Sequence, residues 1–132
     1  MGHQRIRPYK ADLGDGVQMD MAMAVRAGKH VYIRGLTALG PDGKVVGVGD
    51  GAAQAEQCMQ TAKALLEEAG SSVEHICKIH TYITDRAWRV PVYQTVGKWI
   101  KGVFPCGTGI IVNGLPRAEM VVMLDIAAVS PD

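Results

Sequence analysis

Apolar and polar positions alternate along the stretch from Val17 to Val25. Met19, Met21, Met23 and Val25 fall on one side, and Gln18, Asp20, Ala22 and Ala24 on the other. A period of two predicts a strand. Arg26-Ala27-Gly28-Lys29 reads as a turn and His30 to Leu36 as a second strand rich in β-formers, so the pair makes a hairpin. Gly40-Pro41-Asp42-Gly43-Lys44 is turn chemistry, followed by a short extended piece from Val45 to Val48. From Ala52 the period lengthens. Ala55, Met59, Ala62, Leu65, Leu66 and Ala69 recur at three- and four-residue steps. That predicts an amphipathic helix of about 18 residues, stopped by Gly70. Its polar face is assigned to Gln54, Gln57, Gln60, Lys63, Glu67 and Glu68.

Ile76 to Ile83 alternates again and reads as a strand. Asp85 to Gly102 is a second helical segment, with Pro91 in its first turn and an apolar stripe of Val92, Val96, Trp99 and Ile100. Phe104-Pro105-Cys106-Gly107 breaks the chain. Thr108 to Val112 and Met120 to Val129 are the last strands, with a turn at 113–116 between them. The order β-β-(β)-α-β-α-β-β predicts an α+β fold, a mixed sheet with both helices on one face. The two connections that contain helices are expected to be right-handed crossovers. The other face stays uncovered, and Met19, Met21 and Met23, with Val121 and Met123, give it apolar character. A small domain does not leave such a face in water, so association through the open side of the sheet is expected.

Composition narrows the class. The chain has 132 residues, 48% of them hydrophobic, enough for one domain spanning 1–132 with a real core. Fourteen Lys and Arg against thirteen Asp and Glu leave a net charge of +1, and aromatic residues are 5%. Both features argue against a nucleic-acid module held by a basic face. No run approaches a membrane span, and Met1 to Arg5 lacks the apolar region of a secretory signal. Cys58, Cys77 and Cys106 match no zinc motif and no disulfide framework. Three buried or half-buried free thiols in a cytoplasmic protein, with no metal and no cofactor, are the expectation.

Four stretches resemble the Rid family, also called YjgF or endoribonuclease L-PSP. They are Ala24-Val25-Arg26-Ala27-Gly28 followed by Val31-Tyr32-Ile33-Arg34-Gly35; Gln54-Ala55 through Leu65-Leu66-Glu67-Glu68-Ala69-Gly70-Ser71-Ser72; Ile76-Cys77-Lys78 with Tyr82-Ile83-Thr84-Asp85; and Leu115-Pro116-Arg117 through Ala128-Val129. The resemblance spans residues 17 to 130. It implies a chorismate-mutase-like fold assembled as a homotrimer, with the sheets forming a central barrel and small-molecule pockets between subunits. For typical members it also implies hydrolysis of reactive enamines or imines to a ketoacid and ammonia.

The residues that typical members use are replaced here. The arginine of F-P-A-R, which holds a carboxylate through its planar fork, falls on Gly107. The Cys or Ser two residues on falls on Gly109. The glutamate that orients water falls on Met123, a second acid on Asp125, and a tyrosine on Met21. The fold is inherited by this argument; the activity is not. Arg34 stands where the family has a serine lining the pocket, so it is either a relocated anion anchor or a surface or intersubunit ion-pairing arginine. Gly35 lies beside it. Arg89, at a pocket-wall phenylalanine, is either a ligand contact or a solvated helix residue. Thr108, between Gly107 and Gly109, either forms an anion or oxyanion nest with backbone amides or marks a crowded barrel corner. Cys106 is the cysteine nearest the expected pocket, and His30 and His80 are the remaining acid–base candidates. Glu119 precedes the last strand, facing either solvent or a neighbouring subunit.

Two functions follow. One is an atypical hydrolase or deaminase acting on a small, anionic imine, enamine or amide metabolite at the trimer interface. Arg34 would bind the anion, and Thr108 would hold water or a carbonyl oxygen. The other is a non-catalytic trimer that binds a small ligand or a protein partner. Ribonuclease activity ranks below both, because the chain has no basic run and few aromatics to stack on bases.

Overall fold

The alternation around Met21 is one strand of a six-stranded sheet in the computed structural model, which describes residues 2–131. Met1 and Asp132, the ends of the expected domain, lie outside the described residues. The strands are β1 (Gln4–Asp12), β2 (Gln18–Ala27), β3 (His30–Leu36), β4 (Ile76–Ile83), β5 (Cys106–Ile111) and β6 (Val122–Val129). They lie in the order β1-β2-β3-β6-β4-β5. Helix α1 (Gly51–Glu68) joins β3 to β4, and α2 (Arg89–Trp99) joins β4 to β5. β4 and β5 pair parallel and the other neighbours antiparallel, so the sheet is mixed. β3 and β4 both run against β6, which lies between them. Each helix therefore links two parallel strands, the arrangement that requires a crossover.

Both helices cover one face. Val31, Ile33, Ile79, Ile83, Leu124 and Ile126 point into it and are buried with Met59, Leu65 and Leu66 of α1 and Val92 and Val96 of α2. Asp50 caps α1 by accepting the Ala53 N–H at 3.0 Å. At the other end Gly70 takes a φ of 80°, and Ser71 N–H returns to Leu66 O at 2.8 Å. Arg26 Nη1 donates to Ala69 O at 2.9 Å, placing a cation at the negative end of the helix dipole. The indole N–H of Trp99 donates to Glu56 Oε1 at 2.8 Å and ties α2 to α1.

Five details depart from the sequence pattern. β1 was not expected. Its one buried apolar residue is Ile6, and it is held by edge pairing along β2, where Pro8 is tolerated. Val45 to Val48 is no strand; only a single bridge joins Leu39 to Val45. Asp85 caps a 3-10 turn, Arg86–Trp88, by accepting the Ala87 N–H at 2.8 Å, so α2 proper starts at Arg89 and ends at Trp99. Gln54 is not on the polar face but fully buried. It donates to Gly47 O (3.1 Å) and Glu119 O (2.8 Å) and accepts from Val121 N–H (3.0 Å). Val121 is consequently buried rather than part of the open face.

The uncovered face is divided. Met19 and Met21 are exposed, while Met23 and Met123 are half-buried. Tyr32, Lys78, His80 and Asp125 make the other part polar, with Tyr32 52% exposed.

Candidate functional site

Arg34 and Gly35 lie where β3 slips against β6. Ile33 pairs with Ile126 and Leu36 with Leu124, three steps on one strand against two on the other. Such a bulge re-aims a side chain. The Arg34 guanidinium lies over the Tyr9 ring of β1, 5.3 Å from its centroid, within the range of a cation–π contact. Tyr9 is the register partner of Met21. Arg34 forms no ion pair among the described residues. It opens into a groove of about 550 Å³ lined also by Asp12, Leu13, Thr37, Arg117 and Met120. Arg117 is anchored by donating to Gly43 O at 2.7 Å. Gly35 makes room for Met123: a Cβ at position 35 would lie 2.7 Å from the Met123 sulfur.

The second group sits on β5. Gly107, Thr108 and Gly109 pair in register with Ile79, His80 and Thr81 of β4. Neither glycine adopts a positive φ, so the segment is extended ladder and not a concave nest of amides. The glycines serve close approach instead. The Tyr93 hydroxyl of α2 sits against Gly109, where any Cβ would collide with it, and the ring Cζ would be 3.1 Å away. A Cβ at 107 would come within 3.1 Å of Ile79 O. Arg89, one turn before Tyr93, lays its guanidinium over the Tyr93 ring at 5.7 Å. Tyr93 was missed by sequence reasoning. Its signal was Gly109, a missing side chain in a strand that faces a helix.

The structure does not bring Arg34 and Thr108 together within one chain. β6 and β4 lie between their strands, a separation of roughly 14 Å at the usual strand spacing. Met21, Arg34 and Gly35 lie on β2 and β3 and Met123 on the adjacent β6, whereas Gly107, Thr108 and Gly109 lie on the far edge strand β5 and Arg89 on α2.

The remaining candidates are scattered. His30 stacks on Tyr32 with centroids 6.2 Å apart, and His80 meets Tyr82 edge-on at 6.4 Å while facing Asp125 across the ladder. Cys77 and Cys106 are exposed rather than buried or half-buried as expected, because they lie at the starts of β4 and of the edge strand β5, and the Cys106 thiol donates to Cys77 O at 3.4 Å. Cys58 is buried, which pushes its thiol up from 9.0 to about 12. Glu119 is exposed, and its backbone carbonyl is taken by Gln54. Among the described residues no three His, Cys, Asp or Glu side chains cluster as a metal would need, and no helix is long and apolar enough to cross a membrane.

Comparison with known proteins fits this architecture. A family model described as Endoribonuclease L-PSP matches residues 19–130. The chain is 32% identical to Protein DfrA of Myxococcus xanthus over 109 residues, covering 83% of this chain and 82% of that protein. It is 36% identical over 64 residues to the 3-aminoacrylate deaminase RutC of Acinetobacter baylyi, covering 48% of this chain and 51% of that one. Its fold superposes on the crystal structure of RidA from the Antarctic bacterium Psychrobacter sp. with a TM-score of 0.77 at 25% identity, covering 90% and 91% of the two chains.

Proposed function

The chain belongs to the endoribonuclease L-PSP family, also called YjgF or Rid, and from that premise we propose that it is an atypical hydrolase or deaminase of a small, anionic imine, enamine or amide. The observation that carries this reading is Arg34, a guanidinium without an ion-pair partner among the described residues, held over Tyr9 in an open groove. A planar fork with open donors binds a carboxylate bidentately. The distance between Arg34 and Thr108 supports a site completed between copies. One chain would offer Arg34, Gly35, Met21 and Met123, and the next Thr108, Gly107, Gly109 and Arg89. The exposed Met19, Met21 and Tyr32 support burial of the open face in a homotrimer. RutC, the relative named for deaminating 3-aminoacrylate, points to an enamine bearing a carboxylate as the first substrate to assay.

In this reading Arg34 fixes the anion, and Thr108 Oγ1 orients the water that adds to the imine carbon. Water supplies oxygen to the carbon, the nitrogen takes up protons, and the C–N bond breaks to release ammonia. The test is ammonia release from 3-aminoacrylate and related imines generated in solution. Arg34→Ala is expected to lower kcat/KM by about 30-fold or more, the worth of a charged hydrogen-bond pair, with the assembled mass unchanged. Unchanged kinetics sink the assignment.

Gly107 and Met123 favour a second reading, a trimer that binds a ligand or partner without turnover. Neither supplies a charge where the family resemblance expects a carboxylate clamp and an acid. A thermal-shift screen of metabolites followed by ammonia assays on the hits separates the two. A stabilising ligand that releases no ammonia supports binding alone.

A further inference from the structure

Asp125, His80 and Thr108 stand in one row across three neighbouring strands. His80 of β4 is the register partner of Asp125 on β6 and of Thr108 on β5. Register partners share a face, and neighbouring strands lie about 4.8 Å apart. That face is the uncovered one. Ile79, Thr81 and Ile83 take the buried positions of β4, and Leu124 and Ile126 those of β6, so His80 and Asp125 point the other way. Gly109 meets Tyr93 of α2, so Thr108, one residue before it, also points away from the helices.

His80 and Asp125 line a hollow of about 190 Å³ together with Tyr32 and Lys78. Ala127 is the register partner of both Tyr32 and Lys78, and its methyl group leaves the space between them open. The His80 imidazole is half-buried, flanked along β4 by Lys78 and Tyr82. Among the described residues neither of its ring nitrogens forms a hydrogen bond, and the Asp125 carboxylate forms no ion pair. Each is therefore available to the other at one strand spacing. His30 has no such row, because its register partners are Ala27 and Val129.

The hydrolysis assigned to Arg34 and Thr108 needs a proton acceptor. Thr108 Oγ1 can orient water, but a hydroxyl is a poor base, and Gly107 and Met123 supply none. We propose that His80 is the acid–base residue of this reaction and Asp125 its positioning residue. This role rests on the deaminase reading above and adds the group that moves protons in it. His80 Nδ1–H donates to the Asp125 carboxylate, which leaves Nε2 as acceptor toward the water held by Thr108. Nε2 takes a proton from that water as the oxygen bonds to the imine carbon and the C=N electron pair passes to nitrogen. The imidazolium returns the proton to nitrogen, giving a carbinolamine. Nε2 then takes the hydroxyl proton and passes it to nitrogen as the C–N bond breaks, leaving a carbonyl, ammonia and neutral His80.

Ammonia release from 3-aminoacrylate by the full chain tests the role, with assembled mass checked for every variant. His80→Gln can still hydrogen-bond but does not accept the proton. It is expected to lower kcat by about 100-fold or more, with KM within about twofold. Added imidazole is expected to raise the rate of His80→Ala by about fivefold or more and to leave wild type unchanged. Asp125→Asn is expected to lower kcat by about tenfold or more, but by less than about twofold when added to His80→Ala. A wild type no faster than hydrolysis in solution overturns the deaminase reading and this role with it. An active wild type, impaired by Arg34→Ala but not by His80→Gln, overturns this role alone. So does a loss in His80→Ala that imidazole fails to relieve, or an Asp125→Asn loss of equal size in both backgrounds, since each marks a residue that holds the strands and moves no proton.

Discussion

The hydroxyl of Tyr93 occupies the space that a side chain at position 109 would need. One residue is on α2 and the other on the edge strand β5, so the pair sets how closely that helix approaches the sheet. Gly109→Ala forces Tyr93 to move or α2 to lift. Overpacking of this kind costs about 1–3 kcal/mol. In Tyr93→Ala the same Gly109→Ala change is expected to cost little. A double-mutant cycle by urea unfolding should return a coupling of about 1 kcal/mol or more; additive effects would mean the contact is not formed in solution.

Gln54 is a buried clamp between α1 and two loops. Its amide takes two carbonyls, Gly47 and Glu119, and supplies an acceptor to Val121 N–H. Gln54→Leu keeps the volume but strands these groups beneath the helix. An orphaned buried polar group costs about 1–3 kcal/mol, so a loss of about 3 kcal/mol is expected by denaturant unfolding. The loop at 113–120, which carries Arg117 and Met120 of the Arg34 groove, should also become more susceptible to proteolysis. A change within about 0.5 kcal/mol would show that water replaces the amide.

Legibility followed periodicity. The hairpin, α1, β4 and β6 announce themselves because their apolar residues repeat at two or at three and four. β1 carries one core residue, Ile6, among Arg5, Arg7, Pro8 and Lys10, and pairing along β2 is what makes it a strand. A hydropathy pattern carries no trace of that. Gln54 reads as solvated because its partners are loop carbonyls remote in sequence. The family resemblance located Arg34, Thr108 and the glycines, but not that β6 and β4 keep Arg34 and Thr108 apart. Tyr93 escaped because its meaning depends on what is missing at Gly109.

Cys58 couples stability to alkaline pH. Burial raises its thiol from 9.0 to about 12, because the folded protein would have to hold a thiolate in the core. Below pH 9 the thiol is neutral in both states and contributes no penalty. Above it the unfolded chain ionises first. Stability should then fall by about 1.4 kcal/mol per pH unit from this group, until the folded thiol itself titrates. Cys58→Ala should remove that component of the slope between pH 9 and 11, whatever its effect at neutral pH. Cys77 and Cys106 are exposed, so at pH 8 two thiols should react quickly with a thiol reagent and the third only on unfolding. Three fast thiols would contradict the burial of Cys58.

The proposed division of the site between copies has a quantitative consequence. Arg34→Ala and Thr108→Ala are each expected to keep only a few per cent of the activity, about 30-fold or more down. In a mixed trimer, a site that takes Arg34 from one copy and Thr108 from the next is intact only when the first copy is the Thr108 variant and the second the Arg34 variant. With random assembly from equal amounts, about one quarter of the sites meet both conditions, because a closed ring repeats one heterologous interface. Co-refolding the two impaired variants should therefore restore about a quarter of wild-type ammonia release, and refolding either alone should leave it at the variant's own low level. A site built within a single chain would stay silent in the mixture, because each chain would still lack one of its two groups. Silence from a correctly assembled mixture would thus refute the shared site, while leaving Arg34 to be judged on its own variant.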